Sequence, residues 1–183
     1  MRIVAGKARG HHLIGPRSSK IRPTADRVRE AIFNILGQWM DDWSVLDLFA
    51  GTGALALEAI SRGARRAVMV DEDKEAVRLC ATNAAALGFK DQVEVLAMPV
   101  ARALAQLQGA GERFELIFAD PPYGLRAGQQ LLEAVESAGL LSNAGIFCLE
   151  HDKREEAPPG HPGLARSDQR RFGDTVVSIY RVP

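Results

Sequence analysis

Asp120 closes a short apolar run, residues 114–119, and is followed by Pro121, Pro122, Tyr123 and Gly124. Proline has no N–H for a sheet ladder, and it biases the residue before it toward an extended shape. Asp120 is therefore expected at a stiff strand end that aims a carboxylate and backbone carbonyls into a cleft. The Asp120 carboxylate and the Pro121 carbonyl are two acceptors, one for each N–H of an amine. The exocyclic amine of a nucleobase is a poor nucleophile because its lone pair is delocalised into the ring. Holding both hydrogens favours a pyramidal nitrogen with its lone pair turned toward an electrophile. Such positioning contributes up to several kcal/mol of barrier, and the carboxylate offsets charge building on nitrogen. Tyr123 offers a ring face on which a flipped base can stack. The competing reading is an ordinary strand-to-loop turn, since Asp, Pro and Gly are common turn residues.

A second feature lies about seventy residues earlier. "LDLFAGTGALALE" (46–58) joins an apolar run to a helical pattern. Gly51 and Gly53 let the chain turn sharply and approach a ligand closely. Asp71 ends the next apolar run, placed to accept hydrogen bonds from both hydroxyls of a ribose. Two cofactors fit this spacing. A nicotinamide dinucleotide would lay its pyrophosphate over G-x-G-x-x-A (51–56), and S-adenosylmethionine would lay its methionine part there. Asp47 favours the second. An acid just ahead of the glycines repels a pyrophosphate and suits a ligand with an amino group and a sulfonium. The chain also has no room for a separate substrate domain.

The elements that must position these residues alternate. Strand patterns occupy 44–49, 66–71, 92–97, 114–120 and 145–150, with helical patterns at 54–64, 74–88, 101–107 and 128–141 between them. That alternation predicts a parallel sheet with helices on both faces. The tail reads as a Pro-rich loop (151–163) followed by an antiparallel hairpin turned at Gly173-Asp174. The head (2–15) reads as another hairpin turned near residues 7–10. A helix starts at Thr24, with an apolar stripe at Val28, Ala31, Ile32, Ile35 and Leu36. The stretch 15–24 is the expected joint between head and main domain.

"DLFAGTGALALEA", "VDED" and "DPPY", in this order, resemble the amino-methyltransferases of the class I S-adenosylmethionine fold. "RIVAGKARGHHL", "RPTADRVREAIFNIL" and "FGDTVVSIYR" narrow the resemblance to the bacterial 16S rRNA guanine-N2 methyltransferase family, RsmD. The resemblance covers nearly the whole chain. It implies a Rossmann-like doubly wound α/β sheet of seven strands, order 3-2-1-4-5-7-6 with strand 7 antiparallel, carrying an N-terminal hairpin and helix extension. It implies S-adenosylmethionine as cofactor and N2 of one guanine in 16S rRNA of the small ribosomal subunit as acceptor. Carried over by position, Asp47, Phe49, Ala50, Gly51 and Gly53 frame the methionine part and Asp71 binds the ribose. Asp120, Pro121, Pro122 and Tyr123 form the target-base pocket. Such proteins often place a polar residue after strand three to meet the adenine amino group; here Met98 and Pro99 stand there, leaving apolar contacts and the Val100 backbone N–H.

Composition sets limits. The 183 residues suffice for one ordinary core, and 23 basic side chains balance 23 acidic ones. Attraction to nucleic acid must then come from a local cluster. The head supplies one: Arg2, Lys7, Arg9, Arg17, Lys20 and Arg22 stand in residues 1–24 with no acid. Arg2, Lys7, Arg9 and Arg22 are the expected RNA contacts, which divides the chain into a basic head (1–23) and a methyltransferase domain (24–183). Cys80 and Cys148 lie apart in apolar stretches and read as buried free thiols. No metal-ligand spacing, no secretory signal and no membrane-length apolar run is present, so the expectation is a cytoplasmic, metal-free monomer. Two other readings stay open: the same chemistry on adenine N6 or a protein glutamine, and a non-enzymatic RNA-binding factor.

Overall fold

Strands buried on both faces of a parallel sheet read as unbroken apolar runs. "VMV" and "LIFA" are buried throughout, as those sequences require. In the computed structural model, which describes residues 1–16, 23–122, 127–155 and 158–183, the elements alternate as expected. Helix α1 (Pro23–Leu36) precedes β1 (Ser44–Asp47), α2 (Ala54–Ser61), β2 (Arg66–Asp71) and α3 (Lys74–Ala86). A single 3-10 turn at Lys90–Gln92 leads into β3 (Val93–Ala97), α4 (Val100–Gly109), β4 (Phe114–Ala119) and α5 (Ala127–Ala138). The chain ends with β5 (Leu141–Asp152), β6 (Gly160–His161), β7 (Leu164–Phe172) and β8 (Thr175–Arg181).

The sheet order is β3-β2-β1-β4-β5-β8-β7-β6. Strands β1 to β5 run parallel, and β8 inserts antiparallel between β5 and β7. This is the expected doubly wound order with one addition: the sheet has eight strands rather than seven, because Gly160 and His161 pair with Ala165 and Leu164 at the edge. The tail loop is correspondingly shorter than its Pro content predicts. Strand β5 continues through His151 and Asp152, whose partners are Val176 and Thr175. Local composition was overridden there by pairing with β8. His151 is buried and its Nε2 lies 3.0 Å from Ser178 Oγ. His161 forms an ion pair with Glu136.

Two apolar layers flank the sheet. One contains Val45, Leu57, Met69, Phe118 and Cys148, under α1, α2 and α3. The other contains Leu46, Val68, Leu104, Ile117, Leu132 and Tyr180, under α4 and α5. Both cysteines are free and buried. Side chains alternate faces along a strand, so Asp71, Asp47, Asp120 and Glu150 all belong to the first face. Each stands two residues beyond a buried member of that layer: Met69, Val45, Phe118 and Cys148.

The head is less regular than a hairpin. Its antiparallel pairing is one bridge, Arg2 with His12, supported by Ile3 N–H to His11 O and Gly10 N–H to Ile3 O, both 2.9 Å. It is instead stapled to the main body. Ile3, Ala8 and Leu13 join the α1–α3 layer. Glu58 of α2, fully buried, accepts from Val4 N–H at 2.8 Å and Ala5 N–H at 2.9 Å. The same carboxylate meets Arg62 Nε at 2.9 Å and Arg29 Nε at 3.5 Å. Gly6 sits so close that an added Cβ would lie 1.8 Å from the Ser61 carbonyl oxygen. The expected joint at 15–24 falls largely on residues 17–22, outside the described residues.

Candidate active site

The carboxyl ends of β1, β2, β4 and β5 face one crevice, the usual ligand position in an open α/β sheet. A cavity of about 300 Å³ opens there, lined by Asp47, Phe49, Ala50, Gly51, Asp120 and Glu150 among others. Its opposite wall comes from Val28, Arg29 and Ile32 of α1 and from Met1. Helix α1 and the head therefore help to enclose the crevice.

The glycine loop is fixed by its main chain. Gly51 and Gly53 have φ of 55° and 78°, a left-handed conformation that side chains rarely adopt. A Cβ on Gly51 would meet nothing within 4 Å, so this conformation, rather than packing, calls for glycine there. Asp71 Oδ2 accepts the Gly51 N–H at 2.9 Å. Cys80 Sγ donates to Gly51 O at 3.4 Å, and Asn83 Nδ2 donates to Thr52 O at 2.9 Å. Asn83 also exchanges bonds with both main-chain groups of Ile14, which ties the head to this loop. Asp71 thus holds the loop with one oxygen while its carboxylate stays at the strand end expected for a ribose contact. Gly53 is the residue before α2 and is not among those lining the cavity.

Asp47 is strongly perturbed. It is 1 % exposed, and its Oδ1 has no hydrogen-bond partner among the described residues. Burial first, and then the charge of Asp120, push its carboxyl up to about 7, against the pull of the Phe49 and Ala56 main-chain N–H groups. A buried carboxylate oxygen without a donor is costly, and a bound cation with N–H donors relieves that cost. The donor set fits S-adenosylmethionine, which carries an ammonium and a sulfonium. It does not fit a pyrophosphate.

Asp120 stands at the mouth of the crevice, open to solvent on one side. Surrounding protein still raises it to about 6 by desolvation. Pro121 behind it is buried and Pro122 is exposed. Tyr123 lies outside the described residues, as does Arg22. Val100 opens α4 directly after Pro99, whose ψ of 144° is extended. As the first helical residue, Val100 has an N–H without an intrahelical acceptor. Phe49, Met98 and Val100 are partly buried side chains of the α4–α5 layer, and of these Phe49 lines the cavity.

Sequence reasoning missed Glu150, although its signal is the one that marked Asp47, Asp71 and Asp120: an acid ending an apolar run. It also missed Glu58 and Asn83, because a polar residue inside a helix announces no partner. Of the basic head, Arg2 and Arg9 are exposed and line a groove of about 490 Å³ with Asp26, Arg27 and Glu30 of α1. Lys7 is elsewhere. Its Nζ lies 3.0 Å from Gln92 Oε1 and 4.7 Å from the centroid of the Phe89 ring. Among the described residues, no group of three His, Cys, Asp or Glu side chains is placed to hold a metal.

Comparison with known proteins agrees with this geometry. Residues 1–181 match the family described as Conserved hypothetical protein 95. The chain belongs to this family. Ribosomal RNA small subunit methyltransferase D of Escherichia coli is 33% identical over 181 residues, covering 99% of this chain and 89% of that protein. The solved structure of hypothetical protein TTHA0928 from Thermus thermophilus superposes with a TM-score of 0.83 at 34% identity, covering 98% of both chains. A methyltransferase structure, SMU.776 in complex with SAH, has a TM-score of 0.74 over 88% of this chain and 50% of that one; at 17% identity the likeness concerns the fold. The family's curated members and the crevice thus point to the same chemistry, methyl transfer.

Proposed function

We propose that this protein transfers a methyl group from S-adenosylmethionine to the exocyclic N2 of one guanine in 16S rRNA of the small ribosomal subunit. The observation that carries the reading is the meeting of the buried Asp47, whose Oδ1 has no partner among the described residues, the glycine loop and Asp120 in a single crevice. Membership in a family with curated rRNA small-subunit methyltransferases supports the substrate class.

When bound, S-adenosylmethionine supplies an electrophilic methyl carbon on a sulfonium. Asp47 would accept hydrogen bonds from the cofactor's ammonium, and Asp71 would accept from the ribose hydroxyls. Phe49, Ala50, Gly51 and Gly53 would shape the methionine side, and Val100 N–H would serve the adenine. Asp120 and the Pro121 carbonyl each take one N–H of the target amine, which turns the nitrogen lone pair toward the methyl carbon. Asp120 offsets the positive charge that develops on nitrogen and accepts its proton afterwards. Pro122 stiffens the acceptors and Tyr123 stacks on the base. The head contacts RNA phosphates through Arg2 and Arg9, and Lys7 and Arg22 add positive charge to the same segment of the sequence. This work takes place in the cytoplasm, where small subunits are assembled.

The test is methyl transfer from labelled S-adenosylmethionine to small subunits that lack the modification, with naked 16S rRNA, DNA and bulk protein as parallel acceptors. Nucleoside mass spectrometry identifies the product. N2-methylguanosine from the subunit is expected. Label in adenosine, DNA or protein refutes the substrate assignment, and no label in any acceptor refutes the enzymatic reading.

A further inference from the structure

Strands β4 and β5 are parallel neighbours whose last aligned pair is Ala119 with Leu149. Each strand places an acid at the next position, Asp120 and Glu150. Side chains in register on adjacent strands share a face and stand about 5 Å apart at their backbones. Both acids line the same cavity. The mechanism above occupies Asp47 with the cofactor and Asp120 with the target amine. It gives Glu150 no task.

Glu150 is not explained by a local partner. Among the described residues, no cation is paired with it. Arg29, which lines the same cavity, is turned to Asp26 at 3.1 Å and to Glu58. Burial, with the charge of Asp120 added, pushes Glu150 up to about 8. Two half-desolvated carboxyls side by side resist ionising together. Hydrogen-bond donors set against both of them, beside a sulfonium, relieve that conflict.

The Watson–Crick edge of guanine carries such a donor pair. Its N2 amine and its N1–H are adjacent and point the same way. Adenine instead presents an acceptor at N1. We propose that Glu150 accepts the N1–H of the target guanine while Asp120 and the Pro121 carbonyl hold its N2 amine, so that the two strand-end carboxylates together select guanine. This rests on the guanine-N2 reading given above. A site built to accept a donor rejects an analogue that lacks it, because its own polar group is left unpaired.

The experiment uses 2-aminopurine in place of the target guanine, once nucleoside mapping has located that guanine. This base keeps the 2-amino group but presents an acceptor at N1 and lacks O6. Single-turnover methylation of both bases, in reconstituted small subunits, is compared for wild type and Glu150→Gln, with S-adenosylmethionine affinity measured by calorimetry. Wild type is expected to prefer guanine by at least about 100-fold. The Gln amide can turn its NH2 toward an N1 acceptor, so the variant narrows that preference by at least about tenfold. Cofactor Kd stays within about threefold. Loss of O6 affects both proteins alike, so the change in ratio isolates the N1 contact. Glu150→Asp, which keeps the carboxylate, retains the preference at a lower rate. An unchanged ratio in Glu150→Gln, a relaxed ratio in Glu150→Asp, or weakened cofactor binding in Glu150→Gln overturns the assignment while the methylation reading stands. Failure of wild type to form N2-methylguanosine overturns both.

Discussion

Replacing Asp47 with Asn should make the protein more stable and worse at binding its cofactor. Asp47 is held at about 7 against an ordinary 3.8, with burial the leading cause. A carboxyl whose pKa is higher in the folded than in the unfolded chain holds its proton more tightly when folded. Its effect on stability is therefore absent below about pH 4 and grows as pH rises through 7. Each pH unit of the gap corresponds to about 1.4 kcal/mol. This residue then costs the fold about 4 kcal/mol at pH 8, where it is ionised, and about 1 kcal/mol at pH 4.5, where folding takes up a proton. Asn has the same shape and no charge to desolvate, although its amide must still find an acceptor. Urea unfolding at both pH values is the assay. The variant is expected to exceed wild type by about 2–4 kcal/mol at pH 8, with the difference falling by about 3 kcal/mol at pH 4.5. Calorimetry should show S-adenosylmethionine Kd raised at least about tenfold, the usual cost of losing a hydrogen bond to a charged group. A variant less stable than wild type at pH 8, or a difference independent of pH, would refute the reasoning.

Glu58→Gln keeps the shape of a buried side chain but sets an amide NH2 against the Val4 or Ala5 N–H, leaves Arg62 without its anion and leaves Arg29 with Asp26 alone. Unfolding free energy should fall by about 3–5 kcal/mol in denaturant titration; a change under about 1 kcal/mol would mean that the head is not held by this carboxylate. Gly6→Ala meets the Ser61 carbonyl and a φ of 79°, so thermal unfolding should occur at a visibly lower temperature than in Gly10→Ala, where the added Cβ meets nothing. Arg2→Glu with Arg9→Glu should weaken binding to small subunits and reduce its salt dependence, leaving cofactor Kd within about twofold; equal loss of both affinities would make the head purely structural.

Most of the sheet was readable because burial on both faces writes unbroken apolar runs, and Asp47, Asp71 and Asp120 stood out as acids at their ends. Glu150 also ends an apolar run, but the charged stretch after it belongs to no motif that would set the residue apart. The edge of the sheet was read less well. Pro158, Pro159 and Gly160 look like a loop, yet β8 supplies a pairing partner as far as Asp152, and β7 supplies one for Gly160 and His161. The head illustrates a different limit. Its charges were plain, but whether each one faces solvent depends on contacts made 50 to 90 residues away. Lys7 lies on Phe89 and Gln92, and Val4 and Ala5 are fixed by Glu58. Periodicity within a segment carries no record of such partners.

The central claim is that Asp120 positions and deprotonates a target amine. Single-turnover transfer of a tritiated methyl group to unmodified small subunits, by wild type and by Asp120→Ala with cofactor binding measured alongside, tests it most directly. The account predicts a rate lowered by at least about 100-fold with S-adenosylmethionine Kd within about threefold. A rate close to that of wild type would contradict it.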